Sequence, residues 1–314
     1  MPSLCRTAAA LALLSALTMP SSQASAQRLL DGPAAAAARS SSAGADDDRG
    51  VALGPRSRAL AFAPAKEIEQ QAGVEYSRLL KQAAAQRALA PPGNEQLKRL
   101  RGIAERLIPQ AAQFNERAAR WRWEVNLIGS PQVNAFCMPG GKIAFFTGII
   151  DKLKLTDDEI AMVMGHEMAH ALREHGRERV GKARLAQGLT FGASILSQLL
   201  GFGNVGGHLA SGAAQLTMLK FSRDDEREAD LAGMELTARA GFDPRAAVVL
   251  WEKMARASRA GPPQWLSTHP SHDSRIAEIR RNLAVTLPLY ARTQDKSAQA
   301  LPPYRTSAPG STAR

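Results

Sequence analysis

Apolar positions recur at three- and four-residue intervals in two stretches. Leu97, Leu100, Ile103, Ala104, Leu107, Ile108, Ala111 and Phe114 keep one side of the chain apolar at helical period. Ile68, Tyr76, Leu79 and Leu80 mark an earlier helix, which has to end before Pro91-Pro92-Gly93. The pattern then shortens to alternation, and residues 121–127, 133–138 and 142–147 read as three short strands. Pro139 followed by Gly140 between the last two suits the centre of a type II turn. Thr156-Asp157-Asp158-Glu159 is a capping box, which opens a long helix with Ile160, Val163 and Met164 on one side. Together these elements predict one mainly helical α+β domain over 65–286, with a small antiparallel sheet packed beside the capped helix.

The flanks lack such periodicity. Arg6, a short apolar run over 8–17, Pro20 and the triplet Ala24-Ser25-Ala26 have the three parts of a secretory signal peptide over 1–26. The run is too short to span a bilayer, so the expectation is an exported, periplasmic protein. Cleavage after Ala26 removes Cys5 and leaves Cys137 as the one thiol, which reads as a small core residue. Residues 27–64 mix alanine, serine and aspartate runs and are expected to be a flexible linker. Residues 287–314, with Pro288, Pro302, Pro303 and Pro309, are expected to be a flexible tail. Residues 185–219 carry no charge, but their glycines argue against a spanning helix and for a buried helix with a flexible connector.

Lys+Arg exceed Asp+Glu by 40 to 29, a net +11 that permits peripheral contact with an anionic membrane surface. The basic residues are scattered and not interleaved with aromatics, which argues against a nucleic-acid partner. Two cysteines exclude a disulfide scaffold and a multi-cysteine zinc module.

The chemistry is concentrated on the capped helix. His166-Glu167-Met168-Ala169-His170 is H-E-x-x-H: two imidazoles one turn apart on one face can reach one metal ion. Glu167 is displaced around the helix, where it can act on water without ligating the metal. A catalytic zinc needs a third protein ligand. The extended pattern with a third histidine is not met, because Arg173 and Gly176 stand where it needs glycine and histidine. On a continued helix Glu174 lies too far along the axis, and His175 points away from the ligand face. Glu226 and Asp230, four apart on a second helix, are the best remaining pair, one to ligate and one to orient a ligand. Acidic residues at this spacing are commonly solvated, so spacing alone leaves the third ligand open.

Val133-Asn134-Ala135-Phe136, Pro139-Gly140-Gly141, the H-E-x-x-H, Glu226-Arg227-Glu228-Ala229-Asp230 and Thr268-His269-Pro270 follow one another in an order that resembles the HtpX-like gluzincin metallopeptidases. That family includes the CAAX prenyl endopeptidases, the mitochondrial Oma-type proteases and the exported bacterial BepA-type proteases. The resemblance covers about 66–285 and is closest to the small exported members. It implies a zincin-like fold, one zinc ion per chain on His166, His170 and Glu226, and Glu167 as general base. It implies further that Asp230 and Arg275 pair behind the ligands, and that Asn134, Ala135, Phe136 and Cys137 form an edge strand for extended substrate. Glu228, on another face of its helix, is not expected to ligate.

In similar enzymes the histidine matching His269 lies near the metal. It can serve as an oxyanion donor, the favoured role here, or as a fourth ligand that keeps the enzyme latent. The implied activity is zinc-dependent cleavage of unfolded or misassembled envelope proteins. A metal-binding chaperone or assembly factor is the alternative, and an intact Glu167 argues against it. Neither the integral membrane segments nor the helical-repeat domain of some relatives carries over, since no comparable stretch is present.

Overall fold

A capping asparagine and a proline decide how the helical N-terminal part is cut up. In the computed structural model, which describes residues 49–187, 221–258, 263–270 and 273–307, helix α1 (Ala65–Ala85) buries Ile68, Ala72, Tyr76, Leu79 and Ala83 along one stripe. Helix α2 (Glu95–Leu107) starts where the Asn94 side chain accepts the Leu97 N–H, and it buries Leu97, Leu100, Ile103, Ala104 and Leu107. The apolar period continues to Phe114, but the α-helix does not. Pro109 supplies no N–H, and the chain tightens into a 3-10 turn over Ile108–Gln113.

Three strands follow, β1 (Glu124–Ile128), β2 (Ala135–Met138) and β3 (Lys142–Phe146), in the spatial order β1-β3-β2. The Pro139-Gly140 turn makes β2 and β3 an antiparallel hairpin: Gly140 sits at φ +81° and the Gly141 N–H donates to the Met138 carbonyl at 3.1 Å. β1 runs parallel to β3, so the sheet is mixed rather than the antiparallel one expected. Alternation along a strand identifies the strand but not its partner. Here the 129–134 connection carries the chain past β3 to the far edge, which places β2 at the edge of the sheet.

Short α3 (Thr147–Leu153) leads into α4 (Asp157–Leu172), whose capping box is complete: Thr156 and Glu159 each hydrogen-bond the other's backbone. From Glu159 to Leu172 every residue of α4 is buried, as befits a helix enclosed on all sides. α4 packs against β2, α2 and, most extensively, α6 (Arg223–Arg239), itself opened by a Ser222–Asp225 capping box. The α4–α6 crossing is made glycine to glycine. A Cβ on Gly165 would meet the Gly233 carbonyl at 2.9 Å, and one on Gly233 would meet the His166 nitrogen at 2.8 Å. Helix α5 (His175–Gln187) follows α4 after a break, and α7 (Ala246–Ser258), α8 (Gln264–Thr268) and α9 (Asp273–Thr293) complete the domain. No helix of the described residues is long and apolar enough to cross a membrane.

Both flanks are more ordered than their composition suggests. Within the expected 27–64 linker, residues from 49 onward lie on the domain as a strap. Val51 donates to Glu235, Gly54 to Glu228, and Arg56 to Glu174, while Leu60 is buried. The expected 287–314 tail is instead helical to Thr293, with Pro288 inside α9, and then folds back. Tyr304 is buried with its hydroxyl on Thr156, Thr306 donates to Glu159, and buried Lys253 joins Glu159 to Ser307. Such anchors are single residues in polar surroundings, so a composition window does not register them. Residues 1–48, which hold the expected signal peptide, lie outside the described residues, as do 188–220, most of the uncharged stretch, and 308–314.

Candidate metal centre

The last two turns of α4 face the first two of α6 across the paired glycines, and the polar side chains of both helices meet there. His166 and His170, one turn apart, bring their Nε2 atoms to 3.2 Å of each other. Glu226 places Oε2 3.6 Å from His166 Nε2 and Oε1 3.5 Å from His170 Nε2. His269, at the end of α8, sets Nδ1 2.9 Å from Glu226 Oε1 and 3.2 Å from His166 Nε2. One donor atom from each of these four buried residues lies within 4.8 Å of the other three. The trio that the family resemblance implies is thus brought together, with His269 inside the same donor set.

Asp230 lies one turn beyond Glu226, and the Nδ1–H of His166 points at its Oδ1 at 3.1 Å. A proton held on Nδ1 leaves the Nε2 lone pair directed into the cluster. Arg275 of α9 donates to Asp230 through Nε and Nη2 at 2.6 and 2.8 Å, the pairing that the family resemblance implies. Its Nη1 lies 2.7 Å from Glu226 Oε2, and its guanidinium carbon stands 3.5 Å over the Trp251 ring. Burial opposes charge on both carboxylates, yet Arg275 and His166 hold Asp230 below the usual range. Glu226 is held well below it, against burial, by His269, His170 and Arg275. Burial keeps the His170 imidazole well below the ordinary histidine range, hence neutral, as a ligand must be.

Glu167 stands outside the donor set. Its Oε1 accepts the indole N–H of Trp265 at 2.6 Å and lies 3.5 Å from His269 Nε2. The Trp265 backbone N–H donates in turn to the Val133 carbonyl at 3.0 Å, which seats α8 at the start of the β2 edge. Along β2, Phe146 donates to the Asn134 carbonyl, so Asn134, Phe136 and Met138 pair towards β3, and Ala135 and Cys137 turn their backbone to the other edge, which pairs with no strand among the described residues. The Ala135 N–H is capped by its neighbour's side chain, Asn134 Oδ1, at 3.0 Å. Burial pushes the Cys137 thiol well up, with Glu167 adding to it, so this cysteine is a neutral core residue.

Four neighbours of the cluster escape a reading by spacing. Phe221 stacks on His170 at 3.9 Å between centroids and, more loosely, on His269 at 5.3 Å. Trp265 was detectable only as an aromatic four residues before His269. His175 does not point away. α4 ends at Leu172, Glu174 adopts φ +66°, and the chain turns back so that His175 Nδ1 lies 2.9 Å from His170 Nδ1. Gly176 was the one local signal of that break. The fourth is Glu228, which contributes no ligand atom but lies 3.4 Å from His175 Nε2. Burial works against its charge, but His175 and Arg173 bring the Glu228 carboxyl down to about 2.

Three imidazole nitrogens converging on one carboxylate suit a divalent metal of mixed nitrogen and oxygen preference. Glu226 Oε2 fits the same description: it is buried and accepts no aligned hydrogen bond, although Arg275 Nη1 is close. His166, His170 and Glu226 are the residues that would hold the ion, with His269 within reach as a fourth.

Comparison with known proteins agrees with this geometry. The chain is 40% identical over 154 residues to the mitochondrial metalloendopeptidase OMA1 of Arabidopsis thaliana, covering 49% of this chain and 30% of that protein. It is 37% identical over 161 residues to the OMA1 of Schizosaccharomyces pombe, 50% of this chain and 46% of the other. The beta-barrel assembly-enhancing protease of Escherichia coli is 27% identical over 176 residues, 54% of this chain and 36% of the other. The chain therefore spans less than half the length of these relatives. The profile of Peptidase family M48 matches residues 94–283, which take in the sheet, all four cluster residues and Arg275, and the chain belongs to that family.

Proposed function

We propose that this chain is a zinc-dependent endopeptidase that cleaves extended or misfolded protein segments. The observation that carries the reading is the H-E-x-x-H helix with both imidazoles and Glu226 in one buried donor set and Glu167 held beside it. Zinc bound there supplies Lewis acidity towards water and the scissile carbonyl. Glu167 is the general base. Trp265 engages Oε1, which orients the carboxylate and leaves Oε2 to take a proton from water and return it to the leaving amine. Asp230 and Arg275 fix the His166 tautomer and the rotamer of Glu226. The open edge of β2 offers the Ala135 carbonyl and the Cys137 backbone to an added antiparallel strand, a mode that selects extended backbone over particular side chains.

His269 modifies this picture. With Nδ1 aimed at Glu226 and His166, it occupies the position of a fourth ligand, which supports the latent arrangement over the oxyanion donor favoured from sequence. The leader-like residues 1–26 and the likeness to a bacterial beta-barrel assembly-enhancing protease support a periplasmic role in protein quality control, with unfolded or misassembled envelope proteins as substrates. The test is digestion of casein and of a reduced, unfolded protein with and without chelator. Cleavage abolished by chelator and restored by zinc is expected; cleavage indifferent to chelator, or none at any zinc level from wild type and His269→Ala alike, overturns the reading.

A further inference from the structure

His166 has a carboxylate behind it, and the structure gives His170 an equivalent support of different make. We infer that His175 and Glu228 form a second hydrogen-bonded arm that positions His170 and fixes which of its nitrogens faces the metal. The inference rests on the metal-centre reading and not on proteolysis.

The protons can be placed by elimination. His175 Nε2 faces Glu228 Oε2 at 3.4 Å, and an ionised carboxylate only accepts, so Nε2 carries the hydrogen. A His170 that ligates through Nε2 keeps its hydrogen on Nδ1, which lies 2.9 Å from His175 Nδ1. Two hydrogens cannot share that gap, so His175 Nδ1 accepts and its hydrogen stays on Nε2. The His170 lone pair is then on Nε2, the atom that points at His166 Nε2 and Glu226. The opposite tautomer would aim an N–H into the donor set.

The arm is anchored at its far end. Glu228 Oε2 also accepts from Arg173 Nε at 2.8 Å, and Oε1 accepts the Gly54 N–H at 3.1 Å. The left-handed turn at Glu174 is what folds His175 back beneath His170. One helix thus serves the cluster at three stations: Glu226 in the donor set, Asp230 behind His166, and Glu228 two bonds removed behind His170. Glu228 supplies no ligand, as its spacing indicates, yet it bears on metal affinity through His175.

The experiment measures zinc affinity by competition with a chromophoric chelator on the full chain, beside thermal melts. It also records long-range proton–nitrogen NMR of the imidazoles in the zinc-loaded protein. His175→Leu is expected to weaken zinc binding about 10- to 100-fold and to remove the protected Nδ1–H signal of His170. His175→Gln, whose amide oxygen can accept the same hydrogen, recovers most of the affinity. Glu228→Ala weakens binding by a smaller factor and gives a second variant should His175→Leu fail to fold. Wild-type affinity in His175→Leu, or equal losses in the leucine and glutamine variants, overturns the arm. A wild-type chain that binds no zinc overturns the metal centre itself, a result distinct from the first two.

Discussion

Gly233→Ala tests whether the glycine contact between α4 and α6 sets the geometry of the cluster. The added Cβ would stand 2.8 Å from the His166 nitrogen and 3.0 Å from its Cα and from the Gly165 carbonyl carbon. None of these is a flexible side-chain end, so backbone must move. Ordinary contact begins near 3.4 Å, so the helices separate by about 0.6 Å at the crossing. Overpacking of this kind costs about 1–3 kcal/mol, against which alanine's helical preference returns about 1 kcal/mol. The net loss of about 0–2 kcal/mol lowers the melting temperature by only a few degrees in a domain this size. The effect on chemistry is larger. Glu226 and Asp230 ride on α6, His166 and His170 on α4, and a displacement approaching an ångström at a reacting centre costs about 10²-fold in rate. Melting, zinc stoichiometry and peptide cleavage on the same preparation separate the two effects. A variant that is stabilised and fully active refutes the claim that this crossing positions the ligands.

Glu167→Gln should keep zinc and the melting temperature while cleavage falls by at least 10²-fold, checked by metal analysis and peptide hydrolysis; activity within tenfold of wild type removes Glu167 as the base. Glu226→Ala should lower zinc occupancy at equimolar metal far more than Glu228→Ala, measured by atomic absorption after gel filtration; equal occupancy puts the third ligand elsewhere. His269→Ala should raise basal cleavage if the residue is a latch, and a drop of about 10²-fold would restore the oxyanion role. Glu174, ringed by Arg56, Arg117 and Arg177, has its carboxyl held below the usual range by Arg177 and Arg117 against the pull of burial. A depressed folded value means stability that is present above the usual carboxylate pKa, about 4.3, and lost as pH falls below it. Urea unfolding from pH 7 to pH 3 should show that loss in wild type and a flatter profile in Glu174→Gln.

The capped helix and its two histidines were legible because both signals are local: a capping box within four residues and a metal pair within one turn. Glu226 and Asp230 were legible as a pair, yet the argument for ligation came from the family resemblance, since spacing on α6 says nothing about what α4 presents to it. His175 was misplaced by extending α4 through Glu174, where the backbone leaves the helical region. The parallel pairing of β1 with β3 was hidden because alternation records which face is buried and not which strand lies alongside. Tyr304 and Arg56 escaped because each anchors a polar stretch by one or two contacts, too few to tint a window of composition.

The two ends of the described chain touch α4 at its opposite ends. Arg56 binds Glu174 and the Leu172 carbonyl at the carboxyl end of α4, Val51 and Gly54 bind Glu235 and Glu228 of α6, and 304–307 bind Thr156, Glu159 and Lys253 at the amino end of α4. A nick inside either clasp frees an end of the helix on which both histidines ride, so such a cut tends to silence the molecule. Working lifetime in the presence of any protease is then set by how rarely the clasps open, a rate rather than an equilibrium.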